Sequence, residues 1–148
     1  SKRIHIPKII PLGDGCPEIT TGGLAHWYFD ATNLDWTSRS NTERIVFPLN
    51  LPLYLLVGET VYVDALVTVG SSQTGVSGVW MELIEKDWNT ARNNLDSDYG
   101  ETAGSDTLTV SSTITTNDVD KTYYAVLRST IAGAASPDTI HDIRIRLS

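Results

Sequence analysis

Thr60 to Val69 reads TVYVDALVTV, and this stretch decides the fold class. Every second residue from Val61 onward is valine or alanine, while Tyr62, Asp64 and Thr68 occupy alternate positions. A period of two places successive side chains on opposite faces of a β-strand. The pattern therefore predicts a strand that buries one face in a core.

The same alternation recurs elsewhere in the chain. Residues 108–114 and 141–147 carry it, turn-forming residues separate the segments, and no convincing amphipathic helix lies between them. About eight such strands can be counted, which is the number in a double Greek key packed as two sheets. We therefore predict an all-β protein, a jelly-roll-like β-sandwich of about eight antiparallel strands.

The chain divides into an arm and one domain. Pro7 and Pro11 remove backbone donors that a central strand needs, so residues 1–12 are predicted to form an extended N-terminal arm. The remaining residues 13–148 suit a single sandwich domain. Within it, residues 87–106 are polar and acidic and lack apolar periodicity, which predicts a long irregular loop.

Composition excludes several classes of partner. The 148 residues carry a formal net charge of -7, which disfavours a surface for nucleic acid. No window approaches the roughly 18 apolar residues that a membrane span needs, so we expect no membrane insertion. Cys16 is the only cysteine, which excludes an intrachain disulfide, and it is expected to be a small buried hydrophobe.

Side chains with catalytic or metal-binding chemistry are sparse. The histidines lie in separate segments and no nucleophile motif occurs, so we predict no catalytic residue, no cofactor and no enzyme activity. One candidate metal site remains, because alternating oxygen ligands in a glycine-containing loop suit calcium. Its residues are Asn94, Asp96, Asp98 and Glu101. A solvated acidic loop without metal is the alternative, and the departures from the calcium-loop motif favour it.

Four tryptophans are many for this length, and two of them suggest a ligand site. Trp36 and Trp88 lie in or beside expected loops, where an indole can stack on the apolar face of a sugar. Asn89 and Arg92 would supply hydrogen bonds to hydroxyl groups. These four residues form the predicted ligand-binding set, and core or subunit contacts are the alternative role for the tryptophans.

The outward positions of two expected strands are apolar where water would favour polar groups. Tyr62 and Leu66 lie on the first of these strands, and Trp80 and Ile84 lie on the strand expected over residues 76–86. We therefore predict that these four side chains contribute to a subunit interface.

Three segments together resemble a known type of module. They are Arg3 to Pro7, the run from Phe47 to Leu53 followed by Val57 to Val61, and Val119 and Asp120 before Tyr123 to Val126. This layout is similar to jelly-roll modules of bacteriophage structural proteins, such as capsid decoration proteins, capsid fibres and tail-fibre tips. The resemblance implies a homotrimer without catalytic residues, in which the arm straps a neighbouring subunit or a capsid shell.

The function expected on this resemblance is that of a non-enzymatic structural protein of a phage virion, which decorates a capsid or forms part of a tail fibre. The expected partners are copies of the chain itself, other virion proteins such as a capsid shell or fibre, and a host-surface glycan. The alternative is a carbohydrate-binding, lectin-like module of a larger secreted or adhesive protein.

Overall fold

A computed structural model shows an all-β architecture, as predicted. It describes residues 8–19, 27–38, 44–52, 56–70, 78–88, 92–115, 120–129 and 137–147. Within these ranges the chain forms eleven strands: β1 (Ile9–Pro11), β2 (Cys16–Pro17), β3 (Trp27–Asp30), β4 (Asp35–Ser38), β5 (Arg44–Leu49), β6 (Thr60–Val69), β7 (Val79–Lys86), β8 (Arg92–Gly100), β9 (Gly104–Thr113), β10 (Thr122–Ser129) and β11 (Thr139–Leu147). The predicted β-sandwich is confirmed, with more strands than the eight expected.

The strands form two antiparallel sheets. Sheet A has the order β3-β4-β11-β6-β9, with β1 also paired to β11, and sheet B has the order β2-β5-β10-β7-β8. From β5 onward each strand lies in the opposite sheet from the one before it, except that β7 and β8 are neighbours in sheet B, so β6 and β7 face each other across the core instead of pairing. Among the described residues no helix is both long and apolar enough to cross a membrane.

The core lies between the two sheets. It is formed by the apolar side chains at alternate positions of each central strand. In β6, alternate side chains from Val61 to Val69 are at most 2% exposed. Full burial of one valine or leucine side chain stabilises the fold by about 1.5–3 kcal/mol. The residues that sheet B contributes include Phe47, Met81, Leu83 and Leu127.

Strand β8 departs from this pattern because two of its inward side chains, those of Asp96 and Asp98, are carboxylates. Asp96 accepts a hydrogen bond from the main-chain N–H of Ser111 (2.9 Å), and Asp98 accepts one from that of Thr109 (3.0 Å). Both donors belong to β9, an edge strand of sheet A, which pairs with β6 alone among the described strands. The expectation of an irregular loop over residues 87–106 was therefore wrong, since β8 is a strand that bridges the sheets through polar groups.

Replacing Asp98 with alanine should lower the free energy of unfolding by about 1–3 kcal/mol, because the N–H of Thr109 would lose its acceptor. Urea unfolding measures the change. Asp142→Ala, which removes an exposed carboxylate from β11, is the matched control and should change stability by less than about 0.5 kcal/mol. Equal effects of the two substitutions would contradict a specific bridge between β8 and β9.

Asp138 is a fully buried residue that joins the ends of four strands. Its carboxylate accepts hydrogen bonds from the main-chain N–H of Gly70 (2.8 Å), after β6, and from the hydroxyl of Ser129, at the end of β10. Its own N–H donates to the hydroxyl of Ser38 in β4 (2.9 Å). Burial raises the pKa of the Asp138 carboxyl above its ordinary value, and the hydrogen bonds from Gly70 and Ser129 offset part of that shift.

The raised pKa of Asp138 predicts a pH-dependent stability. The fold favours the neutral carboxyl, so its contribution is present below the ordinary value of 3.8 and is lost as the pH rises through the folded-state pKa. Asp138→Asn cannot ionise, so its Tm relative to the unsubstituted protein should increase between about pH 3 and about pH 7. Thermal unfolding of both proteins across this pH range measures the difference between their Tm values. A difference that does not change with pH would contradict the raised pKa of Asp138.

Two expectations about single segments change with the structure. Residues 9–11 of the predicted arm form β1, which pairs with β11 of the same chain through Ile10 and Ile145, and residues 1–7 lie outside the described residues. Cys16 is exposed, so the expectation of a buried hydrophobe was wrong. It lies on edge strand β2, opposite the outward-facing Val46.

The four residues predicted to form one interface lie on two opposite surfaces. Tyr62 and Leu66 project from the outer face of sheet A, and Trp80 and Ile84 belong to the outward phase of sheet B. Ile84 is only 3% exposed. Because β6 and β7 are in different sheets, these side chains do not form a continuous apolar patch.

Candidate functional site

The outer face of sheet B presents aromatic and charged side chains in rows. Strand pairing sets Arg44 of β5 opposite Arg128 of β10, Arg128 opposite Trp80 of β7, and Trp80 opposite Tyr99 of β8. Residues two apart in a strand share a face, so further side chains join this row. We name the surface the arginine–tryptophan face and define it by Arg44, Trp80, Glu82, Arg92, Asn94, Tyr99 and Arg128.

A glycine contact sets the position of Tyr99 beside Trp80. Gly78 precedes β7 with a φ of 98°, and a Cβ atom there would lie 1.9 Å from the carbonyl oxygen of Gly100. No side chain fits at that distance, and the left-handed φ also favours glycine. The close approach of the two backbones holds the β7–β8 register at the end of the sheet that carries both aromatic rings.

Three buried nitrogens on this face have no hydrogen-bond partner. They are Nε of Arg44, Nε1 of Trp80 and Nε of Arg128, and they are the full set of such side-chain atoms among the residues that the structure describes. Buried donors are normally paired, and leaving one unpaired costs about 1–3 kcal/mol. All three lie in one row on neighbouring strands, so the hydrogen-bonding capacity that the described residues leave unused is concentrated in this row.

The aromatic side chains of the row are held in place and partly open to solvent. The guanidinium of Arg128 lies 4.2 Å from the centroid of the Trp80 ring, a cation–π contact that restricts the indole. Tyr99, on the other side of Trp80, is 41% exposed. Aromatic faces beside fixed polar donors are the combination that binds sugar rings, which have apolar faces and hydroxyl rims.

Glu82 is the carboxylate of the arginine–tryptophan face. It accepts hydrogen bonds from Nδ2 of Asn94 (2.9 Å) and from Nη2 of Arg92 (3.4 Å). Beside Glu82, the side chains of Val126 and Ile84 also point to the outer side of sheet B, yet they are at most 5% exposed. The face therefore combines an apolar floor with polar side chains that can contact a ligand.

The outer face of sheet A offers a depression of about 370 Å³, but its Asp64 and Arg144 side chains already bind each other. Asp64 accepts hydrogen bonds from Thr109 (2.9 Å), Arg144 (3.0 Å) and Arg146 (3.0 and 3.2 Å). Burial raises the pKa of the Asp64 carboxyl, but the hydrogen bonds from Arg146, Arg144 and Thr109 outweigh it and bring the pKa below its ordinary value. The donors without partners are on sheet B, which makes the arginine–tryptophan face the better candidate.

The predicted ligand-binding residues are not brought together. Trp36 lies on β4 of sheet A, half-buried and in an edge-to-face contact with Phe29 at 5.3 Å between centroids. Trp88 follows β7 and is 81% exposed. Arg92 lies on the arginine–tryptophan face, and Asn89 is outside the described residues. The two tryptophans thus belong to different sheets.

The oxygen atoms of the candidate calcium site, for which the sequence favoured a solvated loop without metal, do not converge either. Asn94 faces outward and binds Glu82, whereas Asp96 and Asp98 face inward and bind the backbone of β9. Glu101 follows the end of β8. In the described ranges no group of three or more histidine, cysteine or acidic residues could hold a metal ion.

Comparisons with known proteins identify the fold. No protein-family model matches the chain, and no curated protein sequence matches it. Among solved structures, the CBM22-2 xylan-binding domain of Paenibacillus barcinonensis Xyn10C is 14% identical, with a TM-score of 0.51 over 97% of this chain and 94% of that chain. The xylan-binding module CBM15 is 16% identical, with a TM-score of 0.52 over 95% of this chain and 96% of that chain.

A third solved structure places the same fold beside a catalytic module. It is the CBM22-1-GH10 part of Clostridium thermocellum endo-1,4-β-D-xylanase 10B complexed with xylohexaose, 12% identical with a TM-score of 0.50. The match covers 95% of this chain and 26% of that chain. At these identities the likeness establishes the fold.

These neighbours overturn the resemblance to bacteriophage structural modules. The matched domains are carbohydrate-binding modules, so the interpretation as a capsid decoration or tail-fibre protein was wrong, and so was the expected location in a virion. Nothing in the comparisons supports a homotrimer or virion partners. The expectation that the chain is not an enzyme agrees with them, because the matched domains are binding modules.

Arg44→Gln should raise the free energy of unfolding by about 0.5 kcal/mol, because it removes the repulsion between paired like charges and one unpartnered donor. Urea unfolding measures the change. The matched control is Arg144→Gln, which removes the same charge from sheet A but breaks a hydrogen bond to Asp64, and it should lower stability. If both substitutions lowered the free energy of unfolding equally, the Arg44 side chain would stabilise the fold, and the expected repulsion between Arg44 and Arg128 would be contradicted.

Proposed function

We propose that this protein is a carbohydrate-binding module that holds a polysaccharide chain against the arginine–tryptophan face. The observation that carries the proposal is the row of two guanidinium groups and two aromatic rings that Arg44, Arg128, Trp80 and Tyr99 form on the outer face of sheet B. A ligand that is rich in hydroxyl and ring oxygens can accept hydrogen bonds from guanidinium groups while its sugars stack on aromatic rings.

Each part of the face has a role in this binding mode. Trp80 and Tyr99 provide apolar rings for the C–H faces of the sugars, and the donors of Arg44 and Arg128 bind the oxygens at the rim. Neighbouring strands lie about 4.8 Å apart, so the row across four strands spans roughly 15 Å. An open face of that length suits several consecutive sugars of an extended chain.

The fold supports the proposal and indicates the first ligand to test. The neighbours described above are xylan-binding modules by name, and an open sheet of the same architecture supplies the surface here. The ligand would be a plant-type or similar polysaccharide, and the module would attach a larger secreted or adhesive protein to it.

The test is affinity electrophoresis and calorimetry on a panel of soluble xylan, mannan, galactan and a soluble cellulose derivative. Trp80→Ala should weaken binding to the preferred polysaccharide at least about tenfold, because a central aromatic contact is lost. Trp88→Ala is the matched control, since Trp88 is exposed and outside the face, and it should bind like the unsubstituted protein. Circular dichroism confirms that each variant is folded.

Two results would contradict the proposal. If the unsubstituted protein bound no polysaccharide in the panel, the carbohydrate-binding function would be wrong. If Trp88→Ala abolished binding while Trp80→Ala did not, the ligand would bind at the β7–β8 connection and not on the arginine–tryptophan face.

A further inference from the structure

We infer that the polysaccharide bound by the arginine–tryptophan face is acidic, with carboxylate groups on its sugars, and that Arg44 and Arg128 select it. This inference rests on the proposed function, and it names the chemical class of the ligand.

The first support is the sign of the charge on this face. The chain as a whole has a net charge of -7. The outward positions of the described strands of sheet B nevertheless carry Arg44, Arg92, Arg128 and Lys86 against a single carboxylate, that of Glu82. A positive surface on an acidic protein attracts anionic ligands and repels cationic ones.

The second support is that two of these cations form no ion pair with a carboxylate among the described residues. Arg44 and Arg128 are directly paired across β5 and β10. Glu82 is engaged by Arg92 and Asn94. Burial lowers the pKa of the Arg128 guanidinium, the charge of Arg44 lowers it further, and the carboxylate of Glu82 offsets part of the shift. The pairing of like charges is unfavourable in the free protein and is relieved when an anion lies between them.

The one other carboxylate found at this edge does not neutralise Arg44. Glu18, just after β2, accepts a hydrogen bond from the main-chain nitrogen of Arg44 (3.1 Å). No ion pair joins its carboxylate to the Arg44 guanidinium within the described part of the chain. The side chain of Arg44 thus keeps its charge available to a ligand.

The third support is geometric. A guanidinium is planar and can donate two parallel N–H bonds to the two oxygens of a carboxylate, which a hydroxyl group cannot accept in the same way. A uronic acid carries that carboxylate on a ring whose faces are apolar enough to stack. The Arg128 guanidinium lies over the Trp80 ring, 4.2 Å from Cζ to the centroid, and Tyr99 lies on the next strand beyond Trp80. A uronic acid residue that stacks on an aromatic ring of this row therefore lies within reach of a guanidinium.

The experiment compares a glucuronic-acid-substituted xylan with the same polymer after chemical reduction of its carboxyl groups. The two differ in charge alone along the same backbone. Native polymer should bind about tenfold more tightly, as expected for one charge-assisted hydrogen-bonded contact. This advantage should shrink when salt is raised from about 0.05 M to about 0.5 M, while binding of the reduced polymer stays constant. If a sulfated xylan bound as tightly as the native glucuronic-acid-substituted xylan, the preference for a carboxylate over other anionic groups would be overturned.

Variants locate the source of the preference. Arg44→Gln should lower the ratio of the affinity for native polymer to that for reduced polymer about fivefold. Arg44→Lys, which keeps the charge but cannot donate two parallel N–H bonds, should retain only part of this ratio. Arg144→Gln removes the same formal charge from sheet A and should leave the ratio unchanged. If Arg144→Gln lowered the ratio as much as Arg44→Gln, overall charge would explain the preference and the inference would be overturned.

The outcomes separate this inference from the proposed function. Equal binding of native and reduced polymer by the unsubstituted protein would overturn the preference for acidic sugars and leave carbohydrate binding intact. Binding of neither polymer, nor of any member of the earlier panel, would contradict the proposed function itself.

Discussion

The alternation of side chains along each β-strand is the constraint that links the core to the candidate binding surface. Met81 and Leu83 fill the core from β7, so Trp80 and Glu82 must face outward. A slip of one residue would exchange the two faces. Core packing in the sandwich therefore also holds the arginine–tryptophan face in register, and neither can shift without the other.

Polar groups in this fold follow two different rules. Asp138 and Asp98 lie among donors that satisfy them, and they stabilise contacts between the sheets. On the arginine–tryptophan face the opposite holds, because like charges are paired and buried donors have no partner. Departures of this kind are expected at binding sites, which agrees with the function proposed for this face.

The resemblance to bacteriophage modules failed for a reason that applies to sandwiches in general. The segments that carried it, such as the run from Phe47 to Leu53, record where strands and turns fall along the chain. Any jelly roll with similar loop lengths shares that layout, whatever it binds. Function depends on the side chains of one outer face, and these vary without changing the spacing of the strands.

Local alternation determined the fold class and most of the core, because the period of Thr60 to Val69 is a property of residues adjacent in the chain. Strand β8 escaped prediction, since its inward side chains Asp96 and Asp98 are polar and their partners lie on another strand. Only the tertiary structure decided which strands pair. It set Arg44 beside Arg128, and Arg128 beside Trp80, through contacts between segments far apart in the chain, for which local periodicity carries no information.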